Sequence, residues 1–169
     1  MVILISGTTH TGKTALSQRL MEKYKIPYFS IDHLKMGLIR SGKTSLTVND
    51  DKGLTPYLWS IVKEMIKTAI ENKQNIIIEG CYIPFDWQKD FDESYLQEIN
   101  FFCLIMTTEY IENNFSEILK FESIIEKRIT PDINKADLIA DNKTNLKLCK
   151  EYDLEYILID KNYKIEIEL

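Results

Sequence analysis

Eight residues near the start of this chain constrain its fold more than any others. Gly7-Thr8-Thr9-His10-Thr11-Gly12-Lys13-Thr14 fits the pattern G-x-x-x-x-G-K-[ST]. The apolar run Val2-Ile3-Leu4-Ile5-Ser6 before it predicts a buried strand over 2–6. Leu16, Leu20, Met21 and Tyr24 follow at helical spacing and predict a helix over about 13–24. A strand, a glycine-bounded loop and a helix in that order make a cradle for phosphate. The glycines let backbone wrap closely round an anion, successive N–H groups turn toward it, and the helix adds the positive end of its dipole. Gly7, Thr8, Thr9, His10, Thr11, Gly12, Lys13 and Thr14 are therefore the expected nucleotide-binding set. Lys13 is expected to reach the β and γ phosphates and to be partly exposed without them, and Thr14 to offer its hydroxyl to Mg²⁺. His10 stands at a variable position and reads as a loop-shaping residue rather than a catalytic one.

The rest of the chain alternates apolar runs with helical periodicity. Tyr28-Phe29-Ser30-Ile31 predicts a short extended run, 32–40 a helix and 41–53 a loop. Thr55-Pro56 reads as the start of a long helix carrying Leu58, Ile61, Val62, Met65 and Ala69, ending at Asn72. Asn75 to Gly80 and Phe101 to Met106 read as strands buried on both faces. A helix is expected over 109–129 up to Pro131, another over 134–152, and a last strand over 156–160. Five strands alternating with helices predict an α/β fold, a parallel sheet with right-handed crossovers and helices on both faces. The tail Lys164-Ile165-Glu166-Ile167-Glu168-Leu169 alternates strictly and predicts an edge strand.

Composition removes several function classes. Of 169 residues 44% are hydrophobic, which suits one packed domain spanning 1–169, and no apolar run approaches the roughly 18 residues of a membrane span. The net charge of −5 is spread along the chain, so no basic face is expected for a polynucleotide. No secretory signal is read at Met1, and Cys81, Cys103 and Cys149 match neither a disulfide framework nor zinc spacing, so a cytoplasmic protein with reduced thiols is expected.

Two carboxylates are candidates beside the loop. Glu79, with Gly80, ends the third strand, where its carboxylate would face the phosphate loop and join Thr14 in holding Mg²⁺ or its water. Asp32 follows the second strand and is expected either to orient or deprotonate a phosphoryl acceptor, or to cap the next helix. Asn134-Lys135-Ala136-Asp137 and Asp50-Asp51-Lys52-Gly53 match GTPase patterns, yet neither follows a convincing strand. A nucleotide-binding regulator without transfer chemistry is the remaining alternative.

Gly7 to Thr14, Ser30-Ile31-Asp32 and Ile76-Ile77-Ile78-Glu79-Gly80 together resemble the small P-loop kinases grouped around adenylate kinase, over most of the chain. The resemblance implies a three-layer P-loop NTPase fold, a five-stranded sheet in the order 2-3-1-4-5, and transfer of the γ-phosphate of ATP, with Mg²⁺, to a nucleotide or small metabolite. It also implies a monomer or homodimer. Phe29 to Gly42 resembles that group's acceptor-binding helix, which makes Lys35 and Arg40 candidates for the acceptor together with Asp32, Glu79 and Gly80. The group's Asp-Gly-Phe-Pro-Arg motif is here Glu79-Gly80-Cys81-Tyr82-Ile83-Pro84, without the arginine. Glu-Gly followed by Pro is also similar to 2-phosphoglycerate kinases. A short lid is implied within 108–136, with Arg128 on the transferring phosphate and Lys13 and Asp32 as the other catalytic residues.

Overall fold

Val2 and Leu4 point to one side of the first strand and Ile3 and Ile5 to the other, and all four are fully buried. Such a strand needs neighbours along both edges and cover on both faces. A computed structural model, which describes residues 1–120 and 134–169, supplies both. The strands β1 (Val2–Gly7), β2 (Tyr28–Ser30), β3 (Ile76–Glu79), β4 (Ile99–Met106) and β5 (Tyr156–Ile159) form one parallel sheet in the order β2-β3-β1-β4-β5. The expected fold class and strand order are both present.

The helices are α1 (Lys13–Tyr24), α2 (Ile31–Arg40), α3 (Asp51–Glu71), α4 (Glu93–Leu96), α5 (Thr108–Lys120) and α6 (Lys135–Glu151), with a 3-10 turn at Trp87–Asp90. One face of the sheet carries a core built from α2, α3 and the Trp87 to Tyr95 segment, including Leu54, Leu58, Val62, Trp87 and Phe91. The other carries α1, α5 and the C-terminal tail, including Leu16, Leu20, Ile111, Ile118 and Ile165. α6 contributes to both, through Cys149 on one side and Leu138 on the other. Its buried Asn142 accepts from the Met106 N–H at 2.8 Å and donates to the Leu138 carbonyl at 2.8 Å, tying the helix to the end of β4.

Two expectations are corrected. α3 begins at Asp51, one turn before Thr55-Pro56. The Asp50 carbonyl accepts both the Gly53 and Leu54 N–H groups, and Leu54 is fully buried, so packing adds a turn ahead of the proline. The tail is not an edge strand, because the five-stranded sheet ends at β5. Its alternation is nevertheless real, with Ile165 and Ile167 buried and Lys164, Glu166 and Glu168 exposed. Side chains of α1 replace the ladder: Arg19 donates to the Ile165 carbonyl at 3.5 Å and Tyr24 to the Ile167 carbonyl at 3.2 Å. Isoleucines two apart fit any extended segment lying on an apolar surface, whether or not it pairs with a strand.

Asn134 caps α6 by accepting from the Ala136 N–H at 2.8 Å, and Asp50 occupies the corresponding position of α3. Both GTPase-like patterns thus lie at helix starts. The cysteines are free, Cys81 exposed and the other two buried. Among the described residues no helix is long and apolar enough to cross a membrane.

Candidate active site

The loop between β1 and α1 curls back on itself, and its two glycines are needed for different reasons. Gly7 has φ 141°, and a Cβ there would lie 2.7 Å from the Leu104 carbonyl oxygen. Gly12 has φ 79°, and a Cβ would lie 1.7 Å from the hydroxyl oxygen of Tyr163. His10 also takes a left-handed conformation, φ 63°, which non-glycine residues seldom adopt, and its Nδ1 lies 2.9 Å from the Thr9 hydroxyl.

Lys13, the first residue of α1, is only 3% exposed, because the loop folds round it and the Thr8 carbonyl accepts its ammonium at 2.8 Å. That corrects the expectation of a partly exposed lysine. The fully buried Thr11 hydroxyl donates to the same carbonyl at 2.8 Å. Thr14 turns its hydroxyl toward β3 and donates to Glu79 Oε1 at 3.1 Å. Parallel pairing sets Glu79 beside Ile5, two residues before the loop begins. Gly80 fits there because a Cβ would come within 2.9 Å of the Ile31 Cβ.

Glu79 is 1% exposed, and burial holds its carboxyl above the usual carboxylate range. The Lys13 ammonium and the hydroxyls of Ser30 and Thr14 pull the other way, and the charge of Asp32 adds to the rise. A half-buried hydroxyl and a buried carboxylate are hard oxygen donors, the type that holds Mg²⁺ together with water and phosphate oxygens. The donor set at Thr14 and Glu79 therefore fits Mg²⁺.

Asp32 is the second residue of α2, not its cap: the helix begins at Ile31 and the capping position is Ser30. Its carboxylate accepts a hydrogen bond from Lys35, whose ammonium also donates to the Tyr82 hydroxyl at 3.1 Å and lies 5.0 Å from the centre of that ring. Tyr82 passes its own proton toward Asp51 at 3.1 Å. Burial, with Asp51 and Asp32 nearby, pushes its hydroxyl far above the ordinary range. Tyr82 was not singled out in the sequence, where only its place after Glu79-Gly80 marked it. Arg40 is exposed in the last turn of α2 and makes no hydrogen bond or ion pair among the described residues. Arg128 and the central part of the expected lid lie outside the described residues.

A cleft of about 160 Å³ opens at the carboxyl edge of the sheet. Its floor is the end of β1 and Thr8, one wall is Cys81 and Phe85, and the other is Asp141, Thr144 and Asn145 of α6. The Thr8 hydroxyl donates across it to Asp141 at 3.4 Å. Neither α6 nor Tyr163 carries a recognisable sequence signal for this neighbourhood, since each reaches the loop only through the fold.

No family model and no curated protein matches this sequence. Several solved structures are similar over nearly the whole chain. A putative kinase from Chloroflexus aurantiacus superposes with a TM-score of 0.54 at 17% identity, covering 96% of this chain and 88% of its own. Deoxyadenosine kinase from M. mycoides gives 0.53 at 19%, covering 95% and 90%. Shikimate kinase from Bacteroides thetaiotaomicron gives 0.53 at 13%, covering 95% and 86%. At these identities the likeness is one of fold, and that fold is the one P-loop kinases share.

Proposed function

We propose that this protein is a phosphotransferase that moves the γ-phosphoryl group of ATP to a hydroxyl of a small acceptor. The observation that carries the reading is the contact between Thr14 and Glu79, which brings the loop's hydroxyl and a strand-end carboxylate together beside a buried lysine. Phosphoryl transfer asks a protein mainly for positioning and charge stabilisation, and these residues supply both. On binding nucleotide, Lys13 exchanges the Thr8 carbonyl for phosphate oxygens, and the loop N–H groups and the start of α1 hold the rest of the anion. Thr14 and Glu79 would hold Mg²⁺, which would supply positive charge against that developing on the phosphates. Asp32, its carboxylate fixed by Lys35, orients the attacking hydroxyl or takes its proton. Arg128 is proposed for the transferring phosphate.

The similar structures support the reading, since their names give them as kinases acting on a nucleoside or a small metabolite. An adenylate-kinase-like acceptor would have to draw its cations from Lys35 and Arg40. A coupled assay for ADP release from Mg²⁺ATP, run over hydroxylated metabolites, nucleosides and their monophosphates, tests the proposal. Acceptor-dependent ADP release supports it, and nucleotide binding without release on any acceptor favours a non-catalytic binder.

A further inference from the structure

The cleft beside Thr8 has a polar character of its own. Asp141, Thr144 and Asn145 are spaced i, i+3 and i+4, so they share one face of α6 and meet the cleft together. They offer a carboxylate, a hydroxyl and a carboxamide, while Phe85 on the opposite wall supplies an apolar surface. The Thr8 hydroxyl, at the start of the phosphate loop, holds the Asp141 carboxylate against it. A ligand seated between these walls meets the acceptor-only carboxylate of Asp141 beside a hydroxyl and a carboxamide that can accept as well as donate, and a phosphate or carboxylate on it would face a like charge at Asp141.

The two nearby cations proposed for an anionic acceptor lie elsewhere. Lys35 is only 13% exposed, and its charge is already met by Asp32 and by the hydroxyl and ring of Tyr82. Arg40 stands exposed five residues further along α2, and neither residue lines the cleft.

We infer that this cleft receives the phosphoryl acceptor, and that the acceptor is a hydroxyl-bearing molecule without an anionic group, its donors read by Asp141, Thr144 and Asn145. The inference rests on the phosphotransferase reading and names the substrate class of that reaction. The acceptor's hydroxyl oxygen forms the new bond to the γ-phosphorus. The bridging O–P bond to the β-phosphate breaks, ADP departs with the electron pair, and the hydroxyl proton passes to Asp32, which lies beyond the cleft lining, and from there to solvent. Both polyols and amino alcohols satisfy the carboxylate, the second through an ammonium group.

The test is ADP release by the full chain on matched pairs: ribose against ribose 5-phosphate, adenosine against AMP, glycerol against glycerate, with ethanolamine as the amine-bearing probe. The expected result is turnover on unphosphorylated members, with kcat/KM at least tenfold above that of the anionic partner. Asp141 is exposed, so Asp141→Asn should fold normally, raise the acceptor KM several-fold, leave the ATP KM unchanged and narrow the preference. Asp141→Lys should shift the preference toward the anionic member. A wild-type preference for the anionic members, or a preference that neither Asp141 variant moves, overturns the inference while leaving the kinase reading intact. Retained binding of a fluorescent ATP analogue with no release on any member overturns the kinase reading, and the inference falls with it.

Discussion

The hydroxyl of Thr14 and the carboxylate of Glu79 stand 3.1 Å apart although 65 residues separate them in the chain. The contact needs β3 to lie beside β1 in its observed register, so it exists only when the centre of the sheet is formed. Because burial disfavours the charged carboxylate, Glu79 lowers stability at neutral pH, and on the proposed reading it is kept to hold the metal. Glu79→Gln should therefore lose Mg²⁺-dependent turnover by about two or more orders of magnitude while its melting temperature holds or rises. Parallel thermal melts and ADP-release assays check this, and a variant that is both destabilised and active would contradict it.

Lys13→Ala should abolish nucleotide binding and turnover. Since the lysine is buried and bonded to the Thr8 carbonyl, stability should also fall, by about 1–3 kcal/mol on removing a charged hydrogen-bonding group. Denaturant titration alongside a nucleotide-binding assay measures both. Unchanged affinity and turnover would refute the assignment.

Asp32→Asn separates positioning from scaffolding. The residue does not cap α2, so the substitution should leave melting temperature and ATP affinity nearly unchanged. Turnover should fall about 10²-fold or more if the carboxylate orients the acceptor or takes its proton. Loss of stability with full turnover would make the pairing with Lys35 purely structural.

Tyr163 rests on the phosphate loop, its hydroxyl donating to the Thr11 carbonyl at 2.9 Å and its ring against Gly12. Burial raises its pKa to about 12. Tyr163→Phe keeps the ring and removes one hydrogen bond, so stability should fall by about 1 kcal/mol. The ATP KM should rise with the acceptor KM unchanged. Isothermal titration with nucleotide and steady-state kinetics give the two readings, and an effect confined to the acceptor would show that the loop does not depend on this support.

Asp90 gives a pH-dependent prediction. It accepts from the Trp59 indole N–H at 2.8 Å and from Lys63 at 2.8 Å, and the hydrogen bond from Lys63 holds its carboxyl below the usual value of 3.8. A lowered carboxylate pKa contributes stability above the unfolded value, and that stability is lost as pH falls through the folded one. Asp90→Ala should cost about 1–2 kcal/mol at pH 7, with partial solvent screening of Lys63 included. The difference from the parent should shrink below about pH 3.8. Urea titrations at pH 7 and pH 3 decide it.

What the sequence conveyed was local or periodic. The phosphate loop is eight contiguous residues, and the buried strands announce themselves by unbroken apolar runs such as Ile76-Ile77-Ile78. The first turn of α3 was hidden because Thr55-Pro56 reads as a helix start, and only the burial of Leu54 moves that start one turn earlier. The tail's alternation identified its buried residues and not their partners, since period two is common to paired and unpaired extended chain. Contacts from Thr8 to Asp141 and from Thr11 to Tyr163 span 133 and 152 residues, and no pattern along the chain encodes such pairings.

That last separation sets an order of events during synthesis. At roughly 5–20 residues per second, the loop leaves the ribosome on the order of 10 s before Tyr163 does. Until then Gly12 lies uncovered, and β1 waits for β3 and β4 to flank it on either side. A nascent chain therefore carries the complete loop motif without the structure that surrounds it in the finished fold. On the proposed reading cellular ATP stabilises the finished fold and not the emerging one, so nucleotide acts late, drawing nearly folded molecules into the native state by mass action.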